Sequence, residues 1–572
     1  MDEGRAHAQG GVLTIYNEKN QNGRSEYPGF VSFSTSGNTQ SSGNAFADAL
    51  LGNFRTYREA QLDPMGYFRF WQFEGFVSDA WRLSRSLSVE FGVRYAWQEP
   101  TYTLGNNTTS FDPALYNPAQ AVTMLTNGTI VPATGNRFNG LARPGDVPSD
   151  QTANVPNAGS PFVLAVPFAK NPGYFKNQNL FAPRFSFAWS PGNDGRTSVR
   201  GGVGLFYDRS EGNLYFSLVN NPPFALSSEF QNGNLSNAGG GTAAALGPWG
   251  SIDSLDPNMK IPRSWSYSVS VQRELPWWGI FGEVAYVGRT VQQDLRQPDI
   301  NQASFDDLRA NAALPSAQQV STNYLRPYKG YTNIRMRLTD ADATYNAIQM
   351  FLSKRRGDLN FTLSYTYQKA YDNGSSNTDN AEDYQNKDYN WGPSDNDRAN
   401  IFVGTWTYRL PFFKKDKGLT RAILGGWELS GITRFQSGAP LTVSGNTSIG
   451  GRRADYIDGV DPYVPESERY TLVPGSIMWL NPAAFAVAPE GRRGNSTRGQ
   501  FRAPGLQVWD ISIRKQFPLK GSVRAQFQVD MFNIANAVNY RGPATNLTGA
   551  GFGSISSAAP SRNVQVGFRV SF

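Results

Sequence analysis

The chain has 572 residues, and its net charge of +7 is spread without a basic run, which argues against a nucleic-acid partner. With no cysteine and one histidine, His7, it cannot carry a disulfide framework, a thiolate metal site, a His–Glu–x–x–His zinc site or a Ser–His–Asp or Cys–His nucleophile. No stretch approaches the ~18 consecutive apolar residues of a membrane-crossing helix. No charged-then-apolar leader opens the chain, so an exported protein is expected to be represented here by a processed or truncated form.

Before residue 67 the pattern is weak. Strands are expected near 11–17, 28–36 and 54–63, with a helical turn at Ala45–Leu51. Leu87–Gln98 is the clearest internal strand: Leu87, Val89, Phe91, Val93, Tyr95 and Trp97 alternate with Ser88, Glu90, Gly92, Arg94, Ala96 and Gln98. The same two-residue period runs through Trp265–Gln272, Leu359–Gln368 and Val523–Met531. Each run is close to the about 9–11 residues that a tilted strand needs to cross a bilayer. Thirteen such strands are expected from about residue 67 onward, which with the weaker ones makes about 16.

The connections alternate in length. Short turns are expected around 83–85, 192–195, 274–278, 356–358, 411–420 and 518–521. Long segments rich in Gly, Pro, Asn and Ser fall at about 99–180, 209–262, 290–343, 371–398, 437–506 and 535–561, and do not read as independent domains. Short periplasmic turns and long extracellular loops are the asymmetry of an outer-membrane barrel. Aromatic residues, 13% of the chain, fall where two interfacial girdles require them. Trp81, Trp277, Trp278, Phe412, Phe413, Phe517 and Phe572 lie near short turns, and Tyr95, Trp97, Tyr207, Trp265 and Tyr367 near long loops.

The last strand, Asn563–Phe572, has Val564, Val566, Phe568, Val570 and Phe572 on one face. Gln565, Gly567, Val570 and Phe572 resemble the carboxy-terminal signal read by the bacterial barrel-assembly machinery. The fold class is therefore all-β: a transmembrane antiparallel β-barrel of the outer-membrane type, with residues 1–572 as one barrel unit. The mean hydropathy of −0.46 fits, because barrel strands are only half apolar and their loops are polar.

Charges on the polar strand faces are expected to point into the lumen: Glu90, Arg94, Arg200, Glu428, Arg434, Arg524, Asp530 and Arg569. Gly201–Gly204 lacks the third glycine of a dinucleotide fingerprint and is read as relieving crowding or permitting curvature within a strand. The acidic loop 371–398 holds Asp372, Asp379, Glu382, Asp383, Asp388, Asp395 and Asp397. Asp379, Glu382, Asp383 and Asp388 make a candidate calcium loop without EF-hand spacing; a cationic ligand or a solvated acidic loop are the alternatives. Arg452, Arg453, Arg492, Arg493, Arg498 and Arg502 in the loop 437–506 suit lipopolysaccharide phosphates, an acidic ligand or loop folding.

Several segments resemble the barrel of TonB-dependent outer-membrane receptors of the Oar-like branch. They include FVSDAWRLSRSLSVEFGVRY (76–95), TYNAIQMFLSKRRGDLNFTLSYTYQKAYD (344–372), GGWELSGITRFQSGAPLTV (425–443) and FQVDMFNIANAVNY (527–540). The resemblance implies a barrel of about 22 strands with a plug, and energy from the inner-membrane TonB complex acting through that plug. No plug, amino-terminal β-sandwich or TonB box is recognisable, so the chain is expected to begin within the barrel.

The implied function is uptake of a scarce nutrient, a siderophore, glycan or peptide, without enzymatic chemistry or a cofactor. The expected partners are outer-membrane lipid and lipopolysaccharide, the assembly machinery and a small ligand. A non-transporting surface or adhesion protein, a passive diffusion pore and a soluble all-β enzyme are the alternatives.

Overall fold

The structure is a computed structural model. It describes residues 6–572 apart from 23–28, 61–62, 193–194, 210–211, 241, 244, 277, 377–381, 414–415, 417, 447–451, 472–474 and 520–521. One antiparallel wall dominates it. β1 Ala6–Asn22, β2 Met65–Arg82, β3 Leu87–Gln98 and β4 Gln178–Trp189 open the wall. β5 Thr197–Tyr207, β6 Arg263–Glu274, β7 Ile280–Arg296 and β8 Ile334–Lys354 continue it. β9 Leu359–Asp372, β10 Asn400–Arg409, β11 Trp427–Gln436, β12 Leu506–Pro518, β13 Arg524–Phe532 and β14 Asn563–Ser571 complete it.

Each of these strands pairs with the next in chain order, and three short pieces bring the sheet to 17 strands. β2 to β14 are the thirteen strands expected from about residue 67. Among the described residues no ladder joins β1 to β14, so these two are the edges of the sheet.

The amino-terminal expectation needs a correction. The stretch 11–17 lies within β1, but Phe30–Ser32 and Asn53–Ala60 leave the wall. They join Ser227–Asn234 and Thr242–Ala243 in a separate four-stranded sheet, so the wall has fourteen long strands rather than about 16. In Asn53–Ala60 one face carries Arg55 and Glu59 and the other Arg58, so neither face suits lipid; Arg58 instead pairs with Glu229 at 2.9 Å.

Ala45–Leu51 forms a helix, as expected, capped by Asn44, whose side chain accepts from the Phe46 and Ala47 N–H groups. Asp48 on this helix is buried and accepts from Ser41 Oγ and Ser42 N, each at 2.6 Å. The Ser41 hydrogen bond, with the Ser42 amide, holds its carboxyl below the ordinary aspartate value. The stabilisation is thus complete above that ordinary value and lost as pH falls through the depressed one. Hydrogen exchange of residues 38–53 should accelerate only in that acidic window, and Asp48→Asn should abolish the pH dependence.

The register sorts the side chains into two faces. Val93 faces Val77 and Pro183; Phe187 faces Gly201; Val203 faces Tyr267. The same row continues through Val269, Tyr286, Ile348 and Tyr367, and then through Tyr365, Phe402 and Phe435. It ends through Ile513, Val529 and Val566. Large apolar residues on this face stay open to the surroundings: Val269 is 44% exposed, Met350 45% and Val566 68%. A soluble sheet would cover such a belt; a bilayer covers it in a barrel.

Short connections join β2–β3, β4–β5, β6–β7, β8–β9, β10–β11 and β12–β13. The turn after β8 uses Gly357 at φ +87°, a left-handed position. The long connections 23–64, 99–177, 208–262, 297–333, 373–399, 437–505 and 533–562 alternate with these at the other end of the wall. β7 and β8 run further into the loop region than expected, past a bulge at Gln292–Asp294, and the Arg296–Asp340 pair at 2.6 Å holds their extended ends.

The hydrophobic core sits mainly among these loops. One cluster gathers Phe68, Tyr174, Tyr215, Leu218, Leu255 and Met259. A second gathers Phe111, Leu141, Ile252, Ile300, Tyr331 and Ile334. A third, in the carboxy-terminal loops, contains Val443, Leu480, Phe485, Phe501 and Phe552. The long segments therefore fold against one another.

Candidate functional site: the polar wall face and the loop layer

All eight charges assigned to the lumen lie on the face opposite the apolar belt. Glu90 faces Ala80 and Ser186; Arg94 faces Phe76 and Ala182; Arg200 faces Ala188 and Ser270. Glu428, Arg434, Arg524, Asp530 and Arg569 share that side by the same register.

Several are held by neighbours. Arg94 pairs with Glu74 at 2.5 Å, and Glu428 receives Arg409 at 3.2 Å and Arg514 at 3.6 Å. Arg200 Nε donates to Ser198 Oγ at 3.3 Å, Gln528 donates to Asp530 at 2.8 Å, and Arg434 donates to Gln436. A cavity of about 1010 Å³ opens on this face beside Glu90, Arg94, Arg184, Arg289 and Tyr345. Gly201 relieves crowding, as expected: an added Cβ would lie 2.6 Å from the Phe187 ring.

The two charged loops meet each other. Arg453 Nε lies 3.3 Å from Glu382, and both side chains are buried. Arg493 pairs with Asp383, Arg498 with Asp372 at 2.5 Å, and Arg502 with Asp397 at 2.7 Å. Arg498 also reaches Asp395 at 3.7 Å, whereas Arg492 pairs within its own loop with Asp455. Stacking adds to the clasp: the Arg453 guanidinium sits 3.7 Å from the centre of the Tyr389 ring and donates to the Tyr389 carbonyl at 2.8 Å. Burial raises the Tyr389 phenol above its ordinary value.

Of the candidate calcium residues, Glu382 and Asp383 face arginines, Asp388 is exposed, and Asp379 lies outside the described residues. Among the described residues no three carboxylates or histidines gather as a metal site. Of the basic set, Arg453, Arg493, Arg498 and Arg502 are engaged by loop carboxylates, and Arg452 has no described side chain.

A second charged centre was not legible in the sequence. Asp253, buried, receives Arg337 and Gln297 at 2.9 Å and Arg335 at 3.1 Å. No spacing signals a contact between loops so far apart in the chain. Nearby, a cavity of about 1120 Å³ is lined by Arg58, Glu229, Gln231, Arg137 and Trp249. Arg137 stacks 3.9 Å over Trp249, and burial pulls its guanidinium below the ordinary value.

Of the four residues expected to form an assembly signal, Gln565, Gly567 and Val570 lie on the edge strand β14 and Phe572 follows it. Gln565 faces Asp530, Gly567 faces Gln528 and Val570 faces Ala525. Phe572 is 95% exposed, and a Cβ on Gly567 would touch nothing.

The family described as outer membrane beta barrel domain matches residues 2–565. The chain belongs to this family. Its apolar belt is therefore the lipid-facing surface of an outer-membrane barrel, as the aromatic ends of the strands require. The solved structures it resembles include the siderophore receptor PiuA from Acinetobacter baumannii, at 8% identity over 99% of this chain and 53% of that one, TM-score 0.41. The ferric-catecholate import receptor Fiu from Escherichia coli K12 shares 10% identity over 89% and 45% of the two chains, TM-score 0.40. The outer membrane transporter YddB from Escherichia coli shares 10% over 88% and 54%, TM-score 0.39. The chain thus spans about half the length of these proteins. No curated protein sequence matches it.

The girdle expectation can be placed on this barrel domain. At the short-turn end Trp81, Trp278, Phe412 and Phe413 are exposed, and Trp277 lies outside the described residues. At the long-loop end Tyr95, Trp265 and Tyr367 are exposed, and Trp97 packs 5.5 Å from Phe73. Tyr207 instead packs against the cluster of Ala96, Leu180 and Ile261.

Proposed function

We propose that the chain forms wall and surface loops of a TonB-dependent receptor that takes up a scarce nutrient across the outer membrane. The observation that carries this reading is the loop layer. Its long connections share hydrophobic clusters and are clasped by arginine–carboxylate pairs at one end of a wall with a polar inner face. Ordered loops above a polar channel provide selectivity without chemistry, and the Oar-like segments of the wall agree. The eight polar-face charges would line the lumen and meet a plug, through which the TonB complex would act. The ligand class stays open among siderophore, glycan and peptide.

Uptake in cells making the full receptor should disappear on deletion of TonB or collapse of the proton gradient, and residues 1–572 alone should give none. Gradient-dependent uptake by residues 1–572 alone, or indifference of the full receptor to the gradient, would refute the reading. Ohmic single-channel conductance would identify a diffusion pore instead. A display or adhesion role is favoured by one observation: the loops carry their own cores. Loss of adhesion with intact uptake after trimming 99–180 and 437–506 would select it.

A further inference from the structure

The connection between β10 and β11 differs from the other short turns. It contains a helix, Gly418–Leu424. At the end of this helix two residues of the outward face of the wall bind its carbonyls. Trp427 Nε1 donates to the Ile423 carbonyl at 3.1 Å, and Lys515 Nζ donates to the carbonyls of Ile423 at 2.9 Å and Gly425 at 2.5 Å.

Trp427 and Lys515 face each other across the β11–β12 ladder, and Lys515 faces Phe527 on the other side. That row is the lipid-facing one, carrying Leu429, Ile513, Val529 and Phe568 further along. The helix end is thus fastened to the outside of the barrel, not turned under its lumen. A buried lysine in a lipid-facing row needs compensation, and the negative end of the helix supplies it between the Trp427 and Phe517 rings, 5.0 and 5.1 Å away.

Leu419, Ala422 and Ile423 lie on one side of the helix by their spacing, with Arg421 on the opposite side. Leu419 is 78% exposed, Ile423 60% and the preceding Phe412 60%. This exposed apolar side lies at the short-turn end, beside a lipid-facing row, and that end faces the periplasm in outer-membrane barrels. The turn is also basic in sequence, with Lys414, Lys415, Lys417 and Arg421 against Asp416.

We infer that Gly418–Leu424 is an interfacial foot. Its apolar side enters the periplasmic leaflet beside the wall, and Arg421 on the opposite side meets anionic phospholipid headgroups.

The absence of cysteine permits a clean test. Single cysteines at Leu419→Cys, Ile423→Cys and Arg421→Cys in the full chain would carry an environment-sensitive fluorophore. The proteins would be reconstituted into vesicles of phosphatidylethanolamine and phosphatidylglycerol, with folding checked by heat-modifiable migration. The 419 and 423 labels should be quenched by headgroup-depth spin-labelled lipid and shielded several-fold from iodide relative to the 421 label. Replacing phosphatidylglycerol with phosphatidylcholine should weaken that shielding.

Equal iodide access at all three positions would overturn the proposal. So would shielding in native outer membranes but not in vesicles, which would mean that a protein covers the helix. Shielding indifferent to phosphatidylglycerol would overturn the anionic headgroup contact.

Discussion

Replacing Arg453 by alanine is expected to cost the loop layer about 3–5 kcal/mol, the usual penalty for taking one member from a buried ion pair. Arg453 and Glu382 are both almost wholly buried, and the guanidinium also stacks on Tyr389 and donates to its carbonyl. The loss would be local, because neither residue belongs to the wall ladder. Hydrogen exchange and limited proteolysis should show residues 382–390 and 452–456 opening together. Heat-modifiable migration of the barrel should stay unchanged. Arg453→Lys should recover only part of the effect, since an ammonium keeps the charge but loses the planar stack. Unchanged protection in Arg453→Ala would mean that the two loops are ordered without this pair.

The second large effect separates the two faces of one strand. Val269→Arg should destabilise the inserted barrel by about 2–4 kcal/mol, the cost of an arginine on the lipid face near the bilayer centre. Ser268→Arg, one residue earlier, should have little effect, because Ser268 faces Gly202 and Val287 on the polar side. The contrast is informative because Val269 is already 44% exposed. On a soluble protein an arginine there would be harmless. Reversible urea unfolding in detergent or liposomes gives both values, and equal stability of the two variants would remove the lipid assignment of this row.

The wall was legible because its signal is local. Leu87–Gln98 shows its two faces within its own twelve residues, and the structure keeps those bounds. The sides of Glu90, Arg94 and the other six polar-face charges follow from counting by twos along a strand. Asn53–Ala60 was misplaced because short alternation does not specify which sheet a strand joins. Its charged faces steer it to Ser227–Asn234, a partner far away in sequence.

The charged loops show the same boundary. Their residues could be named from the chain, but not that Glu382 and Asp383 meet arginines of another loop.

By itself, then, the sequence determined a half-apolar strand period, alternating short and long connections and an aromatic carboxy-terminal strand, and so an outer-membrane barrel wall. These are properties of neighbouring residues. Only the tertiary structure decided that Arg453 meets Glu382, that the loops share hydrophobic clusters, and that Lys515 fastens a helix to the outer face. Each of those contacts joins segments distant in the chain, where packing and burial choose among partners that local pattern leaves equivalent.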